Sequence, residues 1–214
     1  MKAETNHPQL SSILFNFFYH FSRNNPRKYQ QSSTICENLC NRRKSRQPAK
    51  ISAICEKVIS ALRAKNKILI CGNGGSAADS QHIAAEFVSR FEIDDVPLPA
   101  IALTTDTSVI TAIGNDYSFN EIFSRQIDAI GNQGDILICI STSGNSQNTI
   151  EASKCARSKG IEVISFIGNN KSELEQYSDY SFKANSKVTG IIQQIHITVG
   201  QLIAKLCELE FNSN

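Results

Sequence analysis

The sequence predicts an α/β fold, a three-layer αβα sandwich around a central parallel sheet of flavodoxin-like or Rossmann-like topology. Three observations carry this expectation. Short apolar runs such as Lys67-Ile68-Leu69-Ile70 and Asp135-Ile136-Leu137-Ile138-Cys139-Ile140 alternate with stretches of helical periodicity. The runs are apolar throughout, not at every second position, as in strands covered on both faces. Two of them empty into polar loops and then into helix-like sequence, the grammar of parallel strand–helix units.

The elements follow in order. From Pro48, Ile51, Ile54, Val58 and Leu62 recur at helical spacing and give an amphipathic helix before the first strand. Strands are expected near 67–72, 98–104, 135–140 and 162–167, with a weaker one near 179–183. Helices are expected near 76–91, 106–114, 119–131, 146–159 and 190–210. Residues 1–48 read as a divergent, partly helical or disordered N-terminal extension, and 49–214 as the α/β domain. The aromatic patch Ile13-Leu14-Phe15-Asn16-Phe17-Phe18-Tyr19 is too short to span a bilayer, which needs about 20 apolar residues. The basic residues Arg23, Arg27, Lys28, Arg42, Arg43, Lys44 and Arg46 read as a solvated surface, not as a nucleic-acid arm.

Composition narrows the class. A chain of 214 residues that is 41% hydrophobic can bury a core, and a net charge of +2 gives no argument for nucleic-acid binding. Seven cysteines is an odd number in a chain of this size. Cys71, Cys139, Cys155 and Cys207 lie within apolar patterns and read as small buried hydrophobes in a reducing cytoplasm, without disulfides. Cys36 and Cys40 lack the nearby second pair that a zinc site needs.

The first loop, Cys71-Gly72-Asn73-Gly74-Gly75-Ser76, follows a strand and opens a helix. Glycines let an anion approach the backbone, Ser76 can cap the helix, and free N–H groups of the first turn face whatever binds there. Alone, this is equally an ordinary β–α turn. A second copy, Ser141-Thr142-Ser143-Gly144-Asn145-Ser146, sets hydroxyls and backbone donors at another strand end. Together they read as a phosphate or sugar-phosphate cradle. Neither a P-loop nor a Gly-x-Gly-x-x-Gly fingerprint is present, which disfavours ATP and NAD.

His82 and Glu86, four residues apart on the first helix after the glycine loop, share a face. They could bind a metal, supply a base, or form a plain surface hydrogen bond. The last helix carries Gln193, His196 and Gln201 beside an apolar stripe of Ile192, Ile195, Val199, Ile203 and Leu206. Buried polar groups on it need partners, from a sugar phosphate, a metal or a neighbouring subunit.

These two loops, with Ala100-Ile101-Ala102-Leu103-Thr104-Thr105-Asp106 and Ala112-Ile113-Gly114-Asn115-Asp116 between them, resemble the sugar isomerase (SIS) domain over roughly Ile51 to Phe211. Within that family the chain is most similar to the phosphoheptose isomerases. The resemblance implies a cytoplasmic homotetramer that interconverts sedoheptulose 7-phosphate and D-glycero-D-manno-heptose 7-phosphate through an enediol, in heptose precursor biosynthesis. It implies Glu86 as the catalytic base. It implies substrate contacts at Asn73, Gly74, Gly75, Ser76, Glu86, Asn115, Asp116, Ser141, Thr142, Ser143, Ser146 and Gln193. It also implies Zn2+ held at His82, Glu86, Gln193 and Gln201. The chain departs from the family at Gln201, where a histidine is usual, and at Gly190-Ile191, where an acid and an arginine are usual. Glutamine cannot shuttle a proton near neutral pH. The rival readings are a non-catalytic SIS protein that binds a replication initiator and a sugar-phosphate sensor. The retained Glu86 favours the enzyme.

Overall fold

The computed structural model describes residues 47–89 and 96–212. The aromatic patch near residue 15, Cys36, Cys40, most of the extension and the far end of the helix expected over 76–91 lie outside the described residues. Along the chain come α1 (Gln47–Arg63), β1 (Ile68–Gly72), α2 (Gly75–Val88), β2 (Ala100–Ala102), α3 (Thr107–Asp116), α4 (Ser124–Ile130), β3 (Ile136–Ser141), α5 (Gln147–Ser158), β4 (Glu162–Ile167), β5 (Tyr180–Lys183) and α6 (Thr189–Asn212). Short 3₁₀ turns at Phe119–Glu121 and Leu174–Tyr177 complete the path.

All five strands are parallel, in the order β2-β1-β3-β4-β5. Every residue of β1 and β3 is buried, as the uninterrupted apolar runs require. Alternate side chains feed two cores. Ile68, Ile70, Ile138, Ile140, Ile164 and Phe166 pack with α1, α2 and α6. Leu69, Cys71, Leu137, Cys139, Val163 and Ile167 pack with α4 and α5 on the other face. This is the expected three-layer sandwich. The chain steps from β1 outward to β2, then returns to the other side of β1 for β3. The carboxyl ends of β1 and β3 therefore flank the topological switch point, where open α/β sheets bind ligands.

The amino end of the central strands is closed by charge. Asp135, 1% exposed, accepts hydrogen bonds from the Lys67 and Asn132 backbone N–H groups at 3.0 and 2.8 Å, and from Lys67 Nζ at 2.6 Å. A buried carboxylate is tolerable only with this degree of satisfaction.

Four local expectations are corrected. The strand expected over 98–104 shrinks to three residues, because Pro97 and Pro99 cannot donate to a ladder. The helix expected over 119–131 breaks into a 3₁₀ turn, started by Ser118 Oγ accepting from the Asn120 N–H, and α4. Helix α2 begins at Gly75, so Ser76 lies inside it, buried, and does not cap it. Cys155 is only partly buried, whereas Cys71, Cys139 and Cys207 are buried as expected. The breadth of the apolar surface on α6 is explained within the chain: it packs against α1, α2 and β4.

Candidate active site

Two helices start at the switch point, and neither carries a side-chain cap. At α2 the preceding residue is Gly74, in a backbone conformation (φ 56°) that suits glycine. At α5 the preceding residue is Ser146, whose hydroxyl makes no capping bond. By contrast, Asp106 caps α3 by accepting from the Val109 N–H at 2.9 Å. The Ser76 and Ala77 N–H groups of α2 and the Thr149 N–H of α5 donate to the Asn73, Gly74 and Ser146 carbonyls, so an anion meets the remaining first-turn N–H donors and the positive end of the helix dipole.

The β3 loop is shaped by its own hydroxyls. Ser141 Oγ lies 3.2 Å from Ser146 Oγ and 3.5 Å from Ser143 Oγ, and it accepts from the Gly144 N–H at 3.1 Å. Outside support comes from the segment after β4. Ser172 Oγ donates to the Gly144 carbonyl at 3.0 Å, and Asn145 Oδ1 accepts from the Glu173 N–H at 2.9 Å. Thr142 accepts from the Gly168 N–H through its carbonyl. Ser172 was not singled out by sequence, since nothing local marks it.

The β1 loop is tied to this one. Asn73 and Asn148 exchange side-chain hydrogen bonds of 2.8 Å in both directions. The Asn73 amide is thus engaged with the protein. Gly75 lies under the end of Gln193 from α6: a Cβ there would overlap the Gln193 amide. Asn73, Gly74, Gly75, Ser76, Ser141, Thr142, Ser143, Ser146 and Gln193 therefore gather where the sequence places them. Asn115 and Asp116 end α3, exposed, with Asn115 Nδ2 donating to Asp116 Oδ1 at 2.8 Å. Their side-chain bond joins them to each other.

His82 and Glu86 meet on α2. His82 Nε2 lies 3.0 Å from Glu86 Oε1, with side-chain exposures of 52% and 17%. From α6, Gln201 Nε2 donates to the same oxygen at 3.4 Å. The approach of α6 depends on Gly200, against which Ile83 of α2 lies directly. One turn before His82, Asp79 carries a buried Oδ2 without a partner, and burial raises its carboxyl to about 6, against a smaller lowering by His82. His196 finds its partner in the fold: its Nε2 lies 3.2 Å from the Ile167 carbonyl, while Nδ1 is buried unpaired. Burial lowers it to about 4, against the opposing pull of that bond.

The zinc implied by the resemblance has to be matched to these donors. Catalytic zinc sites typically use three protein ligands drawn from His, Cys, Asp and Glu. Here His82 and Glu86 are two, and the other side chains at hand, Gln193 and Gln201, are neutral amides. Among the described residues no group of three or more His, Cys, Asp or Glu side chains could hold a metal ion. The donor set is one strong ligand short.

A parallel five-stranded sheet with a hydroxyl-rich anion cradle and a carboxylate at its switch point defines a sugar-phosphate-handling α/β domain. The chain belongs to the SIS domain family, whose sequence profile matches residues 31–168. Within it the chain belongs with the phosphoheptose isomerases. It is 52% identical over 160 residues to the phosphoheptose isomerase of Clostridium acetobutylicum, covering 75% of this chain and 82% of the relative. Two solved phosphoheptose isomerases share the fold. That of Neisseria gonorrhoeae has a TM-score of 0.74 at 34% identity, covering 94% of this chain and 99% of that one. That of Francisella tularensis has a TM-score of 0.77 at 30% identity, covering 93% and 98%.

Proposed function

We propose that this chain is an aldose–ketose isomerase that interconverts sedoheptulose 7-phosphate and D-glycero-D-manno-heptose 7-phosphate for heptose precursor biosynthesis. The observation that carries the reading is the pairing of two uncapped helix starts at the switch point with a carboxylate, Glu86, held by donors from two helices. The phosphate sits at the start of α5, where Ser141, Thr142, Ser143 and Ser146 supply hydroxyls. Glu86 takes a proton from the carbon next to the carbonyl and returns it to the neighbouring carbon, so one base serves both half-steps of the enediol. Gln193, whose amide lies over Gly75, donates to the oxygen on which charge develops, and the hydroxyl proton passes between the two neighbouring oxygens of the enediolate.

The chain works as a homotetramer in this reading. Exposed Val88, Val96 and Ile101 give apolar surface near the β2 edge for contact between copies. Light scattering on the eluting protein should return about four times the 23.6 kDa chain mass. The five cysteines among the described residues are all free, which suits the reducing cytoplasm. Among those residues no helix is long and apolar enough to cross a membrane.

The test is turnover of sedoheptulose 7-phosphate by purified protein and by Glu86→Gln, with both shown to be folded. Wild-type turnover that is lost in the variant is expected. Equal turnover would remove Glu86 from the chemistry. A sugar phosphate that raises the melting temperature of a wild type without turnover would mean binding alone.

A further inference from the structure

We propose that this site works without a resident zinc ion, the Gln201 side chain fixing the Glu86 carboxylate where a metal ligand would otherwise stand. The proposal rests on the isomerase reading above. It begins from the donors on the page: one imidazole, one carboxylate and two neutral amides. A neutral amide oxygen is a hard donor that suits Mg2+ or Ca2+ better than Zn2+, which favours imidazole, thiolate and carboxylate. Asp79, the next carboxylate on α2, does not complete a group of three ligands.

The geometry gives Gln201 a different task. Its Nε2 faces Glu86 Oε1 as a hydrogen-bond donor, so the amide end turned to the carboxylate is the one with no lone pair to give a metal. His82 Nε2 reaches the same oxygen from one turn away. Both donors converge on Oε1, so among the described residues Oε2 is the atom left to accept the substrate proton. The backbone is arranged for this contact. Gly200 has no side chain to hold α2 away, Ile83 fills the space, and the next residue of α6 reaches Glu86. A carboxylate fixed from two helices keeps its reach to the substrate carbon without a metal to orient it.

The experiment is elemental analysis of the assembled protein, incubated with zinc and then desalted, for wild type, His82→Ala and Gln201→His. Subtracting the His82→Ala value removes zinc held by thiols elsewhere. Wild type should match His82→Ala, and Gln201→His should retain one further zinc per chain, because a second imidazole completes a three-ligand set. A full equivalent in wild type that disappears in His82→Ala would overturn the proposal. A Gln201→His protein that holds no more than wild type would overturn the assignment of the missing ligand to this position. Dialysis against chelator should leave wild-type turnover unchanged, and a loss restored by zinc would count against the idea. Gln201→Leu, which keeps the packing and removes the donor, should lower kcat by about tenfold or more with KM and melting temperature little changed. Unchanged kcat would dismiss the positioning role. A protein with no turnover in any preparation defeats the isomerase reading, while the metal content still decides the zinc question.

Discussion

Asn73 and Asn148 bridge the switch-point crevice through a reciprocal pair of 2.8 Å amide hydrogen bonds. Asn73 belongs to the loop after β1, and Asn148 to the first turn of α5, after the loop from β3. The pair therefore locks together the two loops that form the cradle. Asn148 is 2% exposed, so its amide has no access to bulk water if its partner is lost.

Removing the second amide should thus cost little once the first is gone. Asn73→Ala leaves a buried donor and acceptor unpaired, at about 1–3 kcal/mol, while Asn73→Ala with Asn148→Ala should cost little beyond the first change. Urea unfolding of the two single variants and the double variant measures the coupling. Additive losses would show that the bridge carries no energy.

Gly75 gives a catalytic prediction. Gly75→Ala places a methyl group where the Gln193 amide lies. Alanine at a helix start costs nothing in propensity, so stability should change little. The displaced Gln193 should lower kcat/KM by about 10²-fold, the scale of a misplacement near 1 Å. A variant with normal kinetics would remove Gln193 from the site.

Asp135 supplies the converse, a stability effect without a direct functional one. It lies at the amino end of the central strands, opposite the cradle, and holds both the Lys67 ammonium and two backbone N–H groups. Asp135→Ala strips a largely buried cation of its partner and should destabilise by about 3–5 kcal/mol. Protein that remains folded should keep its KM. Denaturant midpoints and KM, measured on the same preparation, separate the two effects.

What the sequence made legible was whatever depends on neighbours along the chain. The strands β1, β3 and β4 announce themselves because burial on both faces demands an apolar residue at nearly every position. The 3.6-residue period marks α1 and α6. Both cradle loops could be read because their glycines and hydroxyls are local requirements of backbone and anion. Contacts across the fold were not legible: Asn148 lies 75 residues from Asn73, and Ile167 lies 29 residues from His196. No pattern local to His196 says that its nitrogen will meet a strand carbonyl and not a sugar. Ser76 misled because serine at a helix start favours capping, yet Gly74 and Gly75 bring the helix in earlier and bury it.

One buried and one half-buried ionisable group should give the stability opposite pH slopes. His196 is fully buried and its folded value, about 4, lies below the ordinary 6.5. Its contribution is fully present above pH 6.5 and is lost as pH falls toward 4, at up to about 1.4 kcal/mol per pH unit, because the unfolded chain takes up the proton first. Asp79 runs the other way. Its folded value, about 6, lies above the ordinary 3.8, so the folded protein holds the proton more tightly and stability declines as pH rises from about 4 to 6. His196→Phe, beside the rings of Phe166 and Phe182, should therefore raise the melting temperature relative to wild type more at pH 5 than at pH 8. Asp79→Asn should raise it at pH 7.5 and leave it unchanged at pH 4, where wild-type Asp79 already carries its proton. Thermal scans of the three proteins across this range decide the matter. Parallel shifts at all pH values would mean that neither group is titrating out of step with the unfolded chain.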